Sequence, residues 1–310
     1  MLVVAGGLSL AIWSGHRQIP NLPRAAATAA IQSPPDPAAI AKSPEAPKPV
    51  QEAALRPPPR IGDTRPAWVR FAVPAPRSGN RPLVAVVIDD LGLDRTRTAE
   101  VIRLPGPLTL SFMTYTSDLA HQIEIARRAG HELFLHVPME AVDRHEDPGP
   151  HGLFTAQSRD EILDRLRWGL TRFDGFVGIN NHMGSKFTAD ANSMAPVMAE
   201  LRARGLAFLD SRTSAASTGV RLAIAYGVPH AARDVFLDDD QTPAAIAKEL
   251  ARTEQVARQH GSAIAIGHPH DATIAALTSW LPQVQGRGLA LVPVSAVVRH
   301  RMAEEAEPQR

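Results

Sequence analysis

Two adjacent carboxylates, Asp89 and Asp90, directly follow the apolar run Val84–Ile88. Taking two neighbouring carboxylates out of water together is costly, and a cation relieves that cost. On an extended strand adjacent side chains point to opposite faces, but where a strand ends the chain turns and both can reach one site. One carboxylate can then ligate a metal while the other acts as a base. The competing reading is a helix N-cap followed by a first-turn acid, with Leu91-Gly92-Leu93 as the loop.

His136 and His182 are the candidate imidazole ligands. Each follows an apolar run and opens a turn containing Pro or Gly. Neutral imidazole nitrogen and carboxylate oxygen together suit zinc and similar divalent ions. A single histidine in such a place is more simply a core side chain bonded to backbone. Two at matching positions, with the Asp pair nearby, point to a site. His268, in Gly267-His268-Pro269-His270, leaves its strand through a tight turn and suits a general acid that protonates a leaving group. His270 reads as a surface residue. Asn181 and Asp210 are the expected substrate contacts; Asp210 could instead orient a histidine or cap a turn. Asp238-Asp239-Asp240 reads as a solvated acidic turn, because it lacks the glycine and distal glutamate of an EF-hand.

The elements that must position these residues alternate. Strands are expected at 83–88, 108–112, 132–137, 176–179, 207–209, 235–237, 263–266 and 289–292. Helices are expected at 117–129, 158–171, 189–204, 242–259 and 273–285. Ser158 and Glu161 form a capping-box pair, and Gly130 and Gly205 stand where helices should stop. Such alternation implies parallel βαβ units. Seven to eight of them in this length favour an α/β fold, a distorted or incomplete (β/α) barrel. Functional side chains then belong at the strand ends, which is where the candidates fall.

Composition narrows the chemistry. Of 310 residues 44% are hydrophobic, and 33 basic against 32 acidic residues leave a net charge of +1. That argues against a nucleic-acid partner. Cysteine is absent, so a metal site must use His, Asp and Glu, and no thiol nucleophile exists. No G-x-S-x-G serine elbow and no phosphate-loop motif follows a strand.

Four segments are expected. Residues 1–18 form a signal- or anchor-like apolar segment. Residues 19–80 form a disordered Pro/Ala-rich linker that holds 14 of the 27 prolines, with a short amphipathic element near Ala67–Phe71 able to dock on the domain. Residues 81–298 form the barrel, and 299–310 a charged tail. Met1–Trp13 is shorter than the ~20 residues that span a bilayer but suits a secretory h-region. A basic start upstream would make it the end of a signal anchor; the alternative is an apolar tail. The expectation is a periplasmic or extracytoplasmic domain that touches the inner membrane only through its N-terminus.

The segments Val86–Gly92, Gly130–Glu140, Gly178–Ser185, Phe208–Ser211 and Ile266–Pro269 resemble the divergent polysaccharide deacetylases, a branch of the metal-dependent carbohydrate deacetylases. The resemblance covers about Pro82 to Val298. It implies a distorted barrel with Asp89 as base and Asp90 as metal ligand. Better-known members place two metal-binding histidines four residues apart after the third strand. Here that stretch offers His136 and Glu140. Glu140 is one candidate to complete the ligand set. His182, from the branch's own Asn-His-Met-Gly-Ser segment, is the other. The expected set is Asp90, His136 and His182, holding zinc.

Three functions compete. The first is a metal-dependent hydrolase that removes acetyl groups from a cell-envelope or extracellular polysaccharide, such as a peptidoglycan-like glycan, by metal-activated water. The second is a non-catalytic glycan-binding or envelope partner protein that keeps the barrel. The third, a glycosidase, is disfavoured because its two carboxylates usually come from different strands.

Overall fold

The computed structural model describes residues 63–306. The expected segment 1–18 and most of the linker lie outside these residues. The framework is one sheet whose strands run in the order β6-β5-β4-β3-β2-β1-β8-β7, every pair parallel. The strands are β1 Leu83–Leu91, β2 Thr109–Met113, β3 Glu132–Met139, β4 Gly178–Met183, β5 Ala207–Asp210, β6 His230–Ala232, β7 Val235–Phe236 and β8 Ser262–Gly267. A short β9, Ala290–Leu291, pairs with the start of β1. The two edges, β6 and β7, are separated in sequence only by Arg233 and Asp234, so the sheet curls until its edges approach. This is the expected distorted (β/α) barrel.

Helices α2 Arg95–Ile102, α3 Leu119–Arg128, α4 Arg159–Leu170, α5 Ala191–Arg204, α6 Gly219–Tyr226, α7 Pro243–His260 and α8 Asp271–Trp280 alternate with the strands. Ser158 and Glu161 form the capping box of α4, and Gly205 ends α5 in the left-handed conformation. Along β1, Val84, Val86 and Ile88 pack with the helices, while Ala85 and Val87 belong to a second cluster. That cluster includes Leu209, Ile264 and Ile266 and is joined by Val294, Val297 and Val298 of α9, Val294–Ala306. Strands buried on both faces read as continuous apolar runs, which is why this framework was visible in the sequence.

Three features differ from expectation. The strands carrying the site are longer than their apolar runs. β3 continues to Met139 and β4 to Met183, with His136 opposite Asn180 and Pro138 opposite His182. The polar residues interrupt the hydrophobic pattern without ending the strand, because they pair with one another across the sheet. Second, β6 has only three residues and no apolar run. Third, α9 runs beyond Val298 into the stretch expected to be an unstructured tail. Arg301 of α9 donates to Asp234 Oδ2 at 2.6 Å and to Ser262 Oγ at 3.0 Å, which ties the helix to the sheet. Within the expected linker, α1 Ala67–Arg70 docks: Ala67 is buried, and Trp68 N donates to Gly205 O at 2.9 Å.

Candidate functional site

Ile88 stands opposite Leu110 and Leu91 opposite Phe112, so β1 carries one more residue than β2 between these points. Asp89 and Asp90 occupy that bulge. Asp90 has φ 57°, a left-handed conformation that aspartate tolerates better than most side chains. The bulge turns both carboxylates toward one imidazole. Asp89 Oδ2 lies 3.6 Å and Asp90 Oδ1 3.3 Å from His136 Nε2.

Asn180 orients this group. Its amide nitrogen donates to both Asp89 oxygens at 2.9 and 3.0 Å and to Ser211 Oγ at 3.1 Å. Its carbonyl oxygen accepts from Ser111 Oγ and faces His136 Nδ1 at 2.9 Å. His136 Nδ1 therefore carries hydrogen, and in the neutral ring the Nε2 lone pair faces the two carboxylates. His182 Nδ1 lies 2.8 Å from Asp90 Oδ1, and the two imidazole rings are 5.1 Å apart.

Asp90 Oδ1 is buried, yet neither nearby imidazole nitrogen meets it with hydrogen-bond geometry. An orphaned buried carboxylate oxygen facing two imidazole nitrogens fits a divalent ion. Asp90, His136 and His182 each offer a ligand atom, all within 4.8 Å of one another. Glu140 is not in this group. Its oxygens take Lys186 Nζ at 2.7 Å and the Thr155 amide and hydroxyl at 2.7 Å.

The electrostatics separate the two aspartates. Burial pushes the Asp89 carboxyl above its ordinary value, against the charges of His136 and His268 and the Asn180 hydrogen bonds. Burial would raise Asp90 too, but the close imidazoles of His136 and His182, at 3.3 and 2.8 Å, hold it well below the carboxylate range. Burial works to lower His136, and Asp89 and Asp90 outweigh it, so its pKa rises.

A second group faces the first from β8. His268 Nδ1 lies 3.0 Å from Asp238 Oδ1, and its backbone N–H donates to Asp238 Oδ2 at 2.6 Å. Thr273 Oγ1 donates to that same oxygen at 2.8 Å. A Cβ on Gly267 would lie 3.1 Å from Asp238 Oδ2, a tight contact that the glycine avoids where strand and carboxylate approach closely. With Nδ1 held by Asp238, His268 Nε2 faces Asp90 Oδ2 at 4.0 Å. Burial opposes the charged ring, but the Asp238 hydrogen bond and the charges of Asp89, Asp238 and Asp90 raise its pKa to about 9. His270 is half-buried beside it, the rings 5.8 Å apart.

Asp89, His136, His182 and His268 line a cleft of about 430 Å³. Arg233 forms part of its wall, donating to Ser211 O at 2.6 Å and Arg212 O at 3.0 Å, with its guanidinium over the Phe236 ring. Asn181 also reaches the cleft, but its amide braces the loops: it accepts from Ser211 N at 2.9 Å and donates to Met183 O at 2.7 Å. Asp210 does not line the cleft. It is buried, accepting from Arg212 N at 2.8 Å and Ser217 Oγ at 2.7 Å.

The structure thus gathers Asp89, Asp90, His136, His182 and His268 in one place. Sequence reasoning missed Asn180, Asp238 and Arg233. Asp238 follows the β7 apolar run just as Asp89 follows that of β1, and that signal could have singled it out. Its two exposed neighbours, Asp239 and Asp240, make the triplet look like a solvated turn.

Residues 86–298 match the divergent polysaccharide deacetylase family. The chain belongs to that family. It is 34% identical over 230 residues to the uncharacterized protein YibQ of Escherichia coli strain K12, covering 73% of this chain and 70% of YibQ. An uncharacterized protein of Haemophilus influenzae is 35% identical over 201 residues, which are 64% of this chain and 70% of that protein. The solved structure of ATU2773 from Agrobacterium tumefaciens C58, also uncharacterized, superposes with a TM-score of 0.74 at 33% identity. The match covers 76% of this chain and 97% of that one. Membership brings the deacetylase-like barrel with it.

Proposed function

We propose that the protein is a metal-dependent hydrolase that removes acetyl groups from a glycan. The observation that carries the reading is the convergence of Asp90 Oδ1, His136 Nε2 and His182 Nδ1, with Asp89 beside them and His268 facing them. Asp90, His136 and His182 would hold a divalent ion, and zinc suits this mix of nitrogen and oxygen donors. Such an ion polarises a carbonyl and makes water a stronger acid.

The residues around it divide the proton transfers. Asp89 is held by Asn180 and lifted by burial, which makes its carboxylate a better base than an ordinary aspartate. It accepts a proton on a carboxylate oxygen as water attacks the acetyl carbonyl. His268, kept protonated by Asp238, delivers a proton from Nε2 to the departing amine or hydroxyl. Asn180 and Asp238 fix the ring orientations on which both transfers depend. With no cysteine in the chain and no serine elbow, attack by water is the simplest route.

The substrate class, a cell-envelope polysaccharide such as a peptidoglycan-like glycan, rests on family membership together with the N-terminal apolar segment. That segment also supports placing the domain outside the cytoplasm. Among the described residues no helix is long and apolar enough to cross a membrane. The test is acetate release from N- and O-acetylated glycan oligomers by the zinc-loaded protein and by Asp89→Asn. The reading predicts release by the wild type and near loss in the variant. Glycan binding without acetate release would favour the non-catalytic partner instead.

A further inference from the structure

Arg212 lies two residues beyond β5 with φ 50°, a left-handed conformation that disfavours a long side chain. Its backbone is pinned from both sides. The buried Asp210 accepts from its N–H at 2.8 Å, and Arg233 donates to its carbonyl at 3.0 Å. The side chain lines the catalytic cleft, where its guanidinium makes no hydrogen bond or ion pair with any described residue. It also stands close enough to Arg233 to oppose that residue's charge. Backbone strain and like charge both work against an arginine here, and no described residue offsets them with a contact to its exposed guanidinium.

We propose that Arg212 binds a carboxylate on the glycan, so that the deacetylase site of the preceding section selects an acetylated sugar carrying an acidic substituent. This rests on the hydrolase reading. A guanidinium fork matches a carboxylate or a phosphate equally in shape. Glu146 and Asp239 line the same cleft, and their charges oppose a dianionic phosphate more than a single carboxylate. The turn set by Asp210 fixes the Arg212 backbone, so only the side chain remains to be ordered on binding.

The test uses the full zinc-loaded chain and three probes. These are an N-acetylhexosamine bearing an O-lactyl carboxylate, its neutral methyl amide, and an N-acetylhexosamine phosphate. Charge-assisted hydrogen bonds of this kind typically carry about 10–100-fold in binding. The wild type should prefer the carboxylate over the amide by about that factor in kcat/KM, and over the phosphate. In Arg212→Met the ratio should fall to near one, and Arg212→Lys should restore part of it. Arg212→Gly should also lose the ratio while raising the thermal midpoint, because glycine relieves the positive φ. Calorimetric binding of the same probes reads the preference without turnover. Equal affinity of the wild type for acid and amide, a preference for the phosphate, or a ratio unchanged in Arg212→Met overturns the proposal. Acetate release from the neutral amide would meanwhile leave the hydrolase reading standing, and binding preference without any release would sink that reading alone.

Discussion

Asp89 and Asp90 are neighbours in the chain, yet both carboxylates reach the same nitrogen, Nε2 of His136, at 3.6 and 3.3 Å. Strict strand alternation would send one inward and the other toward the helices. The extra residue in β1 and the left-handed φ of Asp90 cancel that alternation at the one place where it would separate the two carboxylates. Asp90→Val would impose a β-branched side chain on a positive φ as well as removing the carboxylate. It should therefore destabilise the fold more than Asp90→Asn or Asp90→Gly, as chemical denaturation of the metal-free proteins can measure.

Asn180 is the residue through which His136 and Asp89 are jointly oriented. Loss of a partner that fixes a ligand histidine typically costs 10–100-fold in metal affinity. Asn180→Ala should weaken zinc binding by about that factor and lower turnover further, because Asp89 loses its two hydrogen bonds. Competition with a zinc-binding dye reads the first effect independently of activity.

Proton transfer gives a further pair of expectations. Asp89→Asn and His268→Ala should each reduce turnover by roughly 10²–10⁴-fold, with zinc retained in His268→Ala. An unchanged rate per folded molecule in His268→Ala, together with a lower thermal midpoint, would reduce His268 to a structural role.

The Asp238–His268 pair also carries a pH signature. The folded pKa of His268, about 9, lies above its unfolded value, so the stabilisation is fully present below the unfolded value and is lost as pH rises through about 9. Asp238 is lowered, because the His268 hydrogen bond and charge overcome burial, so its share is lost in acid instead. Unfolding of the metal-free protein should therefore show the wild type most stabilised over Asp238→Asn near pH 6. The gap should narrow by about pH 10. A gap independent of pH would mean that the pair is not ionic.

The framework of the barrel was legible because its strands are buried on both faces and read as apolar runs, as Val84–Ile88 does. The ligand candidates were legible because polar residues at the ends of such runs stand out. What stayed hidden depends on contacts between distant segments. The bulge in β1 shows only in its register against β2. Asn180 lies inside a strand, and its importance comes from Ser111, His136, Asp89 and Ser211 meeting around one amide. Asp210 stands at a strand end like the others, but its carboxylate is used by the loop that follows. Arg301 reads as part of a charged tail until Asp234 is placed beside it.

That last contact gives a stability expectation. Truncation after Val298 removes the hydrogen bonds of Arg301 to Asp234 and Ser262, worth about 1–3 kcal/mol, and shortens α9. The thermal midpoint should fall measurably.

If Asp90, His136 and His182 form one metal centre, the metal content of the protein must depend on each of them. Zinc content of the purified full-length chain, before and after Asp90→Ala and His182→Ala, tests it most directly. Close to one zinc per chain is expected in the wild type and near-complete loss in both variants, with circular dichroism unchanged. A folded wild type that binds no divalent ion, or variants that bind as much as the wild type, would contradict it.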